Sequence, residues 1–264
     1  MHLPSLAAEI VFYIGSFPIT NTLINAVVVS VGLIILAIYL RGRLQEVPSG
    51  VQNFTEAVLD TLFSYMDQVT GDRKKSIRFL PIVGTLFIFI LISNLLGVFP
   101  GIGSIGRNMV ERGETMFIPI FRPANTDFNL TLAMALVAVI GSHVIGVMAI
   151  GFWKYADRFI KLGGIWRSFK HGGISIMVAF IEFFVGLIEV VSEVAKMISL
   201  SLRLFGNVFA GEVLLTVIAG LVAFFVPLPF LLLEFLVGFI QATVFSMLTL
   251  VYLTMATTEH AESH

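Results

Sequence analysis

The chain has 264 residues, of which 57% are hydrophobic and only 12% are charged. Soluble domains carry about 25% charged residues, so the composition excludes an ordinary soluble domain and indicates an integral membrane protein. The net charge of −1 gives no reason to expect a nucleic-acid partner, and the absence of cysteine excludes disulfides and thiolate metal sites.

Three apolar blocks lie in the first 153 residues, at about 23–40, 79–99 and 130–153. Each is close to the roughly 20 residues that a membrane-spanning helix needs, so we predict three spans. Between the first two, a different pattern predicts an amphipathic helix on the membrane surface. Its apolar side chains recur at helical spacing: Val51, Phe54, Val58, Leu62, Tyr65, Met66 and Val69.

The last third of the chain, residues 174–257, contains two long apolar arms separated by AFFVPLPF. As one helix the first arm, residues 174–222, would be roughly 73 Å long at 1.5 Å per residue, against a ~30 Å hydrocarbon core. It therefore either breaks into two spans or lies strongly tilted. Because Pro227 and Pro229 mark the only strong turn, we favour one long, strongly tilted two-helix hairpin.

These elements predict an all-α integral membrane protein that forms a single membrane domain over residues 1–264. Residues 1–78 hold the first span and the amphipathic helix, residues 79–153 the second and third spans, and residues 174–257 the hairpin.

The distribution of basic residues predicts the orientation. Segment 41–78 holds six Lys and Arg, segment 154–171 holds five, and the 100–127 loop holds three that are balanced by acids. The positive-inside rule then places the N-terminus and the loop outside, and the C-terminus in the cytoplasm.

Polar residues inside the hairpin form a pattern around Arg203. At about 100° per residue, four polar side chains fall within about 40° of it: Glu189, Lys196, Ser199 and Asn207. Glu212 points the opposite way, since nine residues are two and a half turns, so an ion pair with Arg203 within the helix is not expected.

If the second arm runs back antiparallel to the first, residues on the two arms can be matched by their depth in the membrane. If the symmetry point of the hairpin lies near residues 222–223, positions summing to about 445 share one depth. Arg203 then lies level with Gln241, and Glu212 level with Glu234.

We interpret these residues as a pathway for a cation, with the proton as the first candidate. Ionisable groups at bilayer depth are costly and usually mark a pathway or a counter-ion. Arginine stays protonated in a protein, so Arg203 cannot relay a proton but can block its direct passage. The alternative is a structural network in which Arg203 only pairs with buried acids. His143, alone on an apolar helix, is interpreted as a packing residue.

Several segments resemble subunit a of the F-type ATP synthases. They are LRLFGNVFAGE preceded by SLS, IQATVFSMLTLVYL, LISNLLGVFPG and NTDFNLTLAMAL, and the resemblance covers most of the chain beyond residue 50. In that family, subunit a is the stator beside the rotating ring of c subunits. The resemblance implies that the hairpin faces the c-ring.

Site residues follow from the resemblance by position. Arg203 matches the family's essential arginine, which faces the ring carboxylates, and Asn207 and Gln241 match its polar neighbours. Glu212 and Glu234 match the half-channel on the side where protons enter, and Glu189 matches an acid of the cytoplasmic half-channel. Further candidates for the channel are Glu193, Lys196 and Ser199.

One position differs from part of the family. Some members have a histidine where this chain has Glu212 or Glu234, whereas here both positions are carboxylates. Two neighbouring carboxyls in a site of low dielectric do not both ionise readily, so we predict that they share a proton and titrate as a coupled pair.

The resemblance also implies the function, the partners and the location. We expect a proton-conducting stator without an active site, a cofactor or a metal of its own, in a bacterial plasma membrane. Its partners would be the c-ring, the b subunits of the peripheral stalk, the remaining ATP synthase subunits and lipid. The alternative is a secondary cation transporter, although the chain has neither the repeated halves nor the paired helix breaks of that class.

Overall fold

A computed structural model of the chain describes residues 5–99, 101–111, 114–159, 173–222 and 225–258. Within these ranges, five helices are long and apolar enough to cross a membrane, which confirms a multi-pass membrane protein. The helices are α1 (Asn21–Arg41), α2 (Val51–Thr70), α3 (Arg73–Val98), α4 (Phe128–Ile150), α5 (Phe152–Phe159), α6 (Gly173–Leu221) and α7 (Pro227–Thr257).

The three predicted single spans correspond to α1, α3 and α4, and each begins at a polar cap. Thr20 accepts a hydrogen bond from the Leu23 backbone N–H, and Asp72 accepts one from Lys74. Asp127 does the same for Asn129 at the start of α4. These side chains satisfy backbone donors that a helix leaves open in its first turn, so they fix where each span starts.

The two arms near the C-terminus form α6 and α7. Helix α6 runs for 49 residues without a break, and α7 begins with Pro227 in its first position, where the missing N–H of proline costs nothing. Residues 223 and 224 of the connection, and most of the basic segment 154–171, lie outside the described residues. Helices α6 and α7 contact each other, and both pack against α4.

The amphipathic helix is present as α2, and its apolar side divides into two parts. Leu62 and Met66 are buried and belong to the core that includes α3 and α7. Phe54 and Tyr65 stay exposed. Gly71, at a positive φ of 65°, ends the helix and turns the chain into α3.

The prediction of an all-α fold was incomplete because two β-hairpins accompany the helices. Strands β1 (Ile10–Ile14) and β2 (Phe17–Thr20) pair antiparallel before α1. Strands β3 (Gly106–Glu111) and β4 (Glu114–Pro119) pair antiparallel between α3 and α4. Neither segment has a helical apolar repeat, and both have a short break that allows the chain to turn back.

Helix α7 packs along α3 and α4 and closes a continuous apolar core. A buried pair of asparagines crosses this core and joins three parts of the chain. Asn94 on α3 donates to the Gly238 carbonyl of α7 at 3.1 Å, and Asn125 donates to the Asn94 side-chain oxygen at 2.6 Å. These bonds position α7 and the start of α4 against α3, and both asparagines lie in the segments that carry the family resemblance.

Candidate functional site

Arg203 lies on the side of α6 that faces away from the rest of the chain. Leu200, Leu204 and Val208 are almost fully buried against the core, whereas Arg203 and Asn207 are exposed. Ser199 is exposed beside them. A charged residue in a membrane-spanning helix is costly and usually marks an ion pathway or a counter-ion.

The Arg203 guanidinium makes no hydrogen bond and no ion pair with any residue that the structure describes. Tyr252 on α7 lies within electrostatic range of both Arg203 and Glu193. The purely structural alternative, in which Arg203 pairs with acids of its own chain, therefore has no support among the described residues.

Glu212, further along α6, is paired with a residue that the sequence analysis did not identify. Arg122 donates from Nε to both carboxylate oxygens of Glu212, at 2.8 and 3.0 Å. The Arg122 side chain is only 1% exposed and the Glu212 side chain 19%. The ion pair is therefore almost completely shielded from solvent by protein, and it ties the connection before α4 to α6.

The remaining donors of Arg122 bind the N-terminal segment. Nη2 donates to the Ser5 carbonyl at 2.9 Å, and Nη1 reaches the Ala7 carbonyl at 3.4 Å. Asn25 on α1 donates to the Arg122 carbonyl at 2.8 Å. One arginine thus connects the start of the chain, α1 and the acid on α6.

Glu234 on α7 lies beside this ion pair. It is 8% exposed, and its carboxylate occupies the space in which a side chain at Gly211 would otherwise sit. Glu212 is close enough to repel it electrostatically. Gly211 and Glu234 sum to 445, the relation predicted for the two arms, so the structure confirms that Glu212 and Glu234 lie at one level.

A second polar cluster lies at the other end of the bundle, where α4, α5 and α6 meet. Lys196 donates to Glu193 at 2.7 Å, and the second oxygen of Glu193 is 3.6 Å from Nε2 of His143. Nδ1 of His143 is 2.6 Å from the hydroxyl of Tyr155. We call these four residues the basic-end cluster. The interpretation of His143 as a packing residue did not anticipate these polar contacts.

The other predicted site residues have less defined surroundings. Glu189 and Gln241 are both partly buried, and among the described residues Gln241 makes no hydrogen bond with Arg203. In the described part of the chain, no group of three His, Asp or Glu residues is placed to hold a metal ion.

Comparison with known proteins decides the family. Residues 22–254 match the family model described as ATP synthase A chain. The chain belongs to this family.

Relatives of known identity support the same assignment along nearly the whole chain. ATP synthase subunit a of Citrifermentans bemidjiense is 36% identical over 233 residues, which is 88% of this chain and 85% of the relative. The proteins of the same name from Trichlorobacter lovleyi and Moorella thermoacetica are 36% and 31% identical, over 89% and 92% of this chain and 88% and 93% of the relative. Nothing in these comparisons supports the alternative of a secondary transporter.

Gly211 gives a direct test of the contact between the two arms. In an ATP synthase subunit a with this geometry, Gly211→Ala places a Cβ where the Glu234 carboxylate lies, so Glu234 must move. We expect ATP-driven proton pumping to fall by about tenfold or more, since misplacing a reacting group by 1 Å can cost about 100-fold. The measurement is acidification of inverted vesicles by the assembled complex.

Gly32→Ala is the matched control, because a Cβ at Gly32 on α1 meets no atom within 4 Å. Both substitutions raise helix propensity by the same amount, so only the contact with Glu234 distinguishes them. Equal pumping rates for the two variants would show that Glu234 need not lie against Gly211.

Proposed function

We propose a residue-level account of the function that this family carries, proton translocation by the stator of a rotary ATP synthase. In this account two half-pathways, each open to one side of the membrane, end at different levels of the face that carries Arg203. Protons pass between them only on the carboxylates of a rotating ring of c subunits.

The first half-pathway uses Glu234 and Glu212 near the N-terminal hairpin and the 100–127 loop. The pairing of Glu212 with Arg122 supports a division of roles between the two acids. With one guanidinium and two carboxyls, a single shared proton leaves the group neutral, which is the least costly state at this depth. Glu212 then remains the partner of Arg122, and Glu234 takes up and passes on the proton.

Arg203 separates the two half-pathways. A permanent positive charge repels protons that would otherwise cross along α6. It also attracts a ring carboxylate that has left lipid and given its proton to the second half-pathway. Asn207 and Gln241 are its polar neighbours on the two arms. A ring carboxylate that is neutralised from the Glu234 side can enter lipid, and the ring turns in one direction.

The second half-pathway starts beside Arg203 and leads to the basic end of the chain. Glu189 is its acid by position in the family, with Glu193, Lys196 and Ser199 as additional members. Each proton that completes this route under a membrane potential releases about 2.3 kcal/mol per 100 mV. The chain makes and breaks no covalent bond, because the chemistry of ATP belongs to other subunits.

The proposed function also includes an orientation of the chain in the membrane. Excess Lys and Arg in segments 41–78 and 154–171 supports a cytoplasmic basic end, with the N-terminus and the Arg122 side outside. Helix α6 is longer than a bilayer is thick, which supports a strongly tilted hairpin against the ring. Relatives from bacteria support a plasma membrane, with the c-ring, the b subunits of the peripheral stalk and the other ATP synthase subunits as partners.

The observation that carries the proposal is the exposed, unpaired Arg203 between two polar clusters of the described chain. The test is purification of the chain from its own membranes in mild detergent through an affinity tag. The expected result is recovery of a c-ring and a soluble ATPase in fixed ratio. Recovery of the chain alone or as a homo-oligomer with cation-transport activity would contradict the proposal.

A further inference from the structure

The basic-end cluster brings a histidine to the carboxylate nearest to it on α6. His143 lies in the middle of α4, a helix that otherwise has an apolar or small residue at almost every position. Its ring nitrogens have separate partners, with Tyr155 at 2.6 Å from Nδ1 and Glu193 at 3.6 Å from Nε2. The cluster therefore fixes the orientation of the imidazole between an acid and a hydroxyl.

Tyr155 is the partner of one ring nitrogen of His143, Nδ1. The Tyr155 side chain is largely buried, packed edge-on to the imidazole with ring centroids 6.0 Å apart. When Nδ1 carries a hydrogen and donates it to the Tyr155 oxygen, the lone pair of Nε2 faces Glu193. This tautomer is the one that can accept a proton from the acid.

Glu193 is connected in the other direction to the surroundings of Arg203. Oε1 of Glu193, the oxygen that faces away from His143, accepts from Lys196, whose ammonium lies 5.3 Å from the centre of the Tyr252 ring. Tyr252 in turn is within electrostatic range of Arg203. Contacts thus link Tyr252, Lys196, Glu193 and His143 across α7, α6 and α4.

We propose that His143 is a proton-transfer residue of the half-pathway at the basic end, taking protons from Glu193 and releasing them to water. The inference rests on the proposed function and extends it to a residue that neither the family motif nor the predicted polar stripe contains. The O–H bond of protonated Glu193 breaks, an N–H bond forms at Nε2, and the resulting imidazolium loses this proton to water. Pumping driven by ATP reverses the step.

The charged groups around His143 are compatible with proton transfer in both directions between Glu193 and His143. From α6 it faces Glu193, with Lys196 behind that acid, and from α5 it faces Tyr155; Tyr252 of α7 lies on the far side of Lys196, 5.3 Å from its ammonium. When Glu193 gives up its proton, Lys196 is already in place to compensate the carboxylate. A separation of 3.6 Å is too long for a hydrogen bond, so transfer requires a movement of about 0.7 Å or one bridging water. The His143 side chain is 28% exposed, so it is not sealed inside the protein.

The test compares His143→Gln with the wild type in the assembled complex in inverted vesicles, where the basic end faces the bulk solution. Glutamine can hydrogen-bond to the same neighbours but cannot carry a proton between them. We expect ATP-driven pumping to fall by about 10- to 100-fold, because a positioned acid–base group commonly contributes 100-fold or more. We also expect the pH profile of pumping to lose the dependence that protonation of the imidazole gives it. A wild-type rate and pH profile would overturn the proposal.

Tyr155→Phe provides a second variant that keeps the packing of the ring and removes only the hydroxyl. Without that hydroxyl the imidazole tautomer is not held, so a smaller loss with a displaced pH profile is expected. An unchanged profile in this variant would also count against the proposal. Failure of the inference is distinguishable from failure of the proposed function. Normal pumping by both His143→Gln and Arg203→Ala refutes the function, whereas normal pumping by His143→Gln alone refutes only the role of His143.

Discussion

Arg203→Ala is expected to abolish ATP synthesis and ATP-driven proton pumping while leaving the chain assembled. The arginine makes no contact that the fold needs, since its side chain is exposed and unpaired among the described residues. Its removal takes away the charge that meets a deprotonated ring carboxylate at bilayer depth. An uncompensated charge there costs about 2.5–3.5 kcal/mol, and 1.4 kcal/mol is a factor of ten, so the coupled rate should fall by about 100-fold or more.

Two further measurements separate this role from a general defect. The amount of ring and ATPase retained in the membrane should equal that of the wild type, and passive proton leak should be equal or higher. Arg203→Lys keeps the charge but loses the planar fork of donors, so we expect an intermediate loss. A coupled rate near wild type in Arg203→Ala would remove the central residue from the mechanism.

Arg122→Met is expected to reduce both stability and proton transport, because it leaves Glu212 buried without a counter-charge. Removing one member of a buried ion pair commonly costs about 3–5 kcal/mol. The contacts of Arg122 with the Ser5 and Ala7 carbonyls are lost as well. The expected results are a clearly lower melting temperature of the purified complex and at least a tenfold fall in pumping.

A double-mutant cycle with Glu212→Gln measures the pair itself. If the two residues act together, Arg122→Met with Glu212→Gln should be more stable than Arg122→Met alone, since no charge is then left unpaired. Pumping by the double variant should stay low and lose the pH dependence of the coupled acids. Strictly additive effects on the melting temperature would show that the Arg122–Glu212 contact contributes nothing in the complex.

The spanning helices could be predicted because length and hydropathy are local properties of the sequence. Helices α1, α3, α4, α6 and α7 match the apolar blocks within a few residues, and prolines fixed the start of α7. The β-hairpins were missed because their strands are short and their apolar residues do not alternate strictly. The break at Gly15 between β1 and β2, with a φ of 62°, is the signal that could have identified the first one.

At the site, helical periodicity predicted the relative levels of residues on the two long helices. It did not predict contacts with residues in the connections or on distant helices. The level shared by Glu212 and Glu234 follows from counting along two antiparallel helices. Arg122 lies in an irregular connection, where residue spacing does not predict the direction of a side chain. Acidic residues of the same loop balance its charge, so the charge pattern did not single it out. His143 gave no signal because its partners, Tyr155 and Glu193, are 12 and 50 residues away in the sequence.

The most direct test of the central claim is whether the face with Arg203 lies against a rotating ring. The chain contains no cysteine, so Asn207→Cys introduces a single thiol one turn from Arg203 on the same exposed face. Ile35→Cys, at a residue that is also exposed but lies on α1, is the control. Under mild oxidation, a ring subunit carrying one cysteine beside its carboxylate should cross-link to residue 207 and not to residue 35. Cross-linking at residue 35, or at neither position in an active complex, would contradict the account.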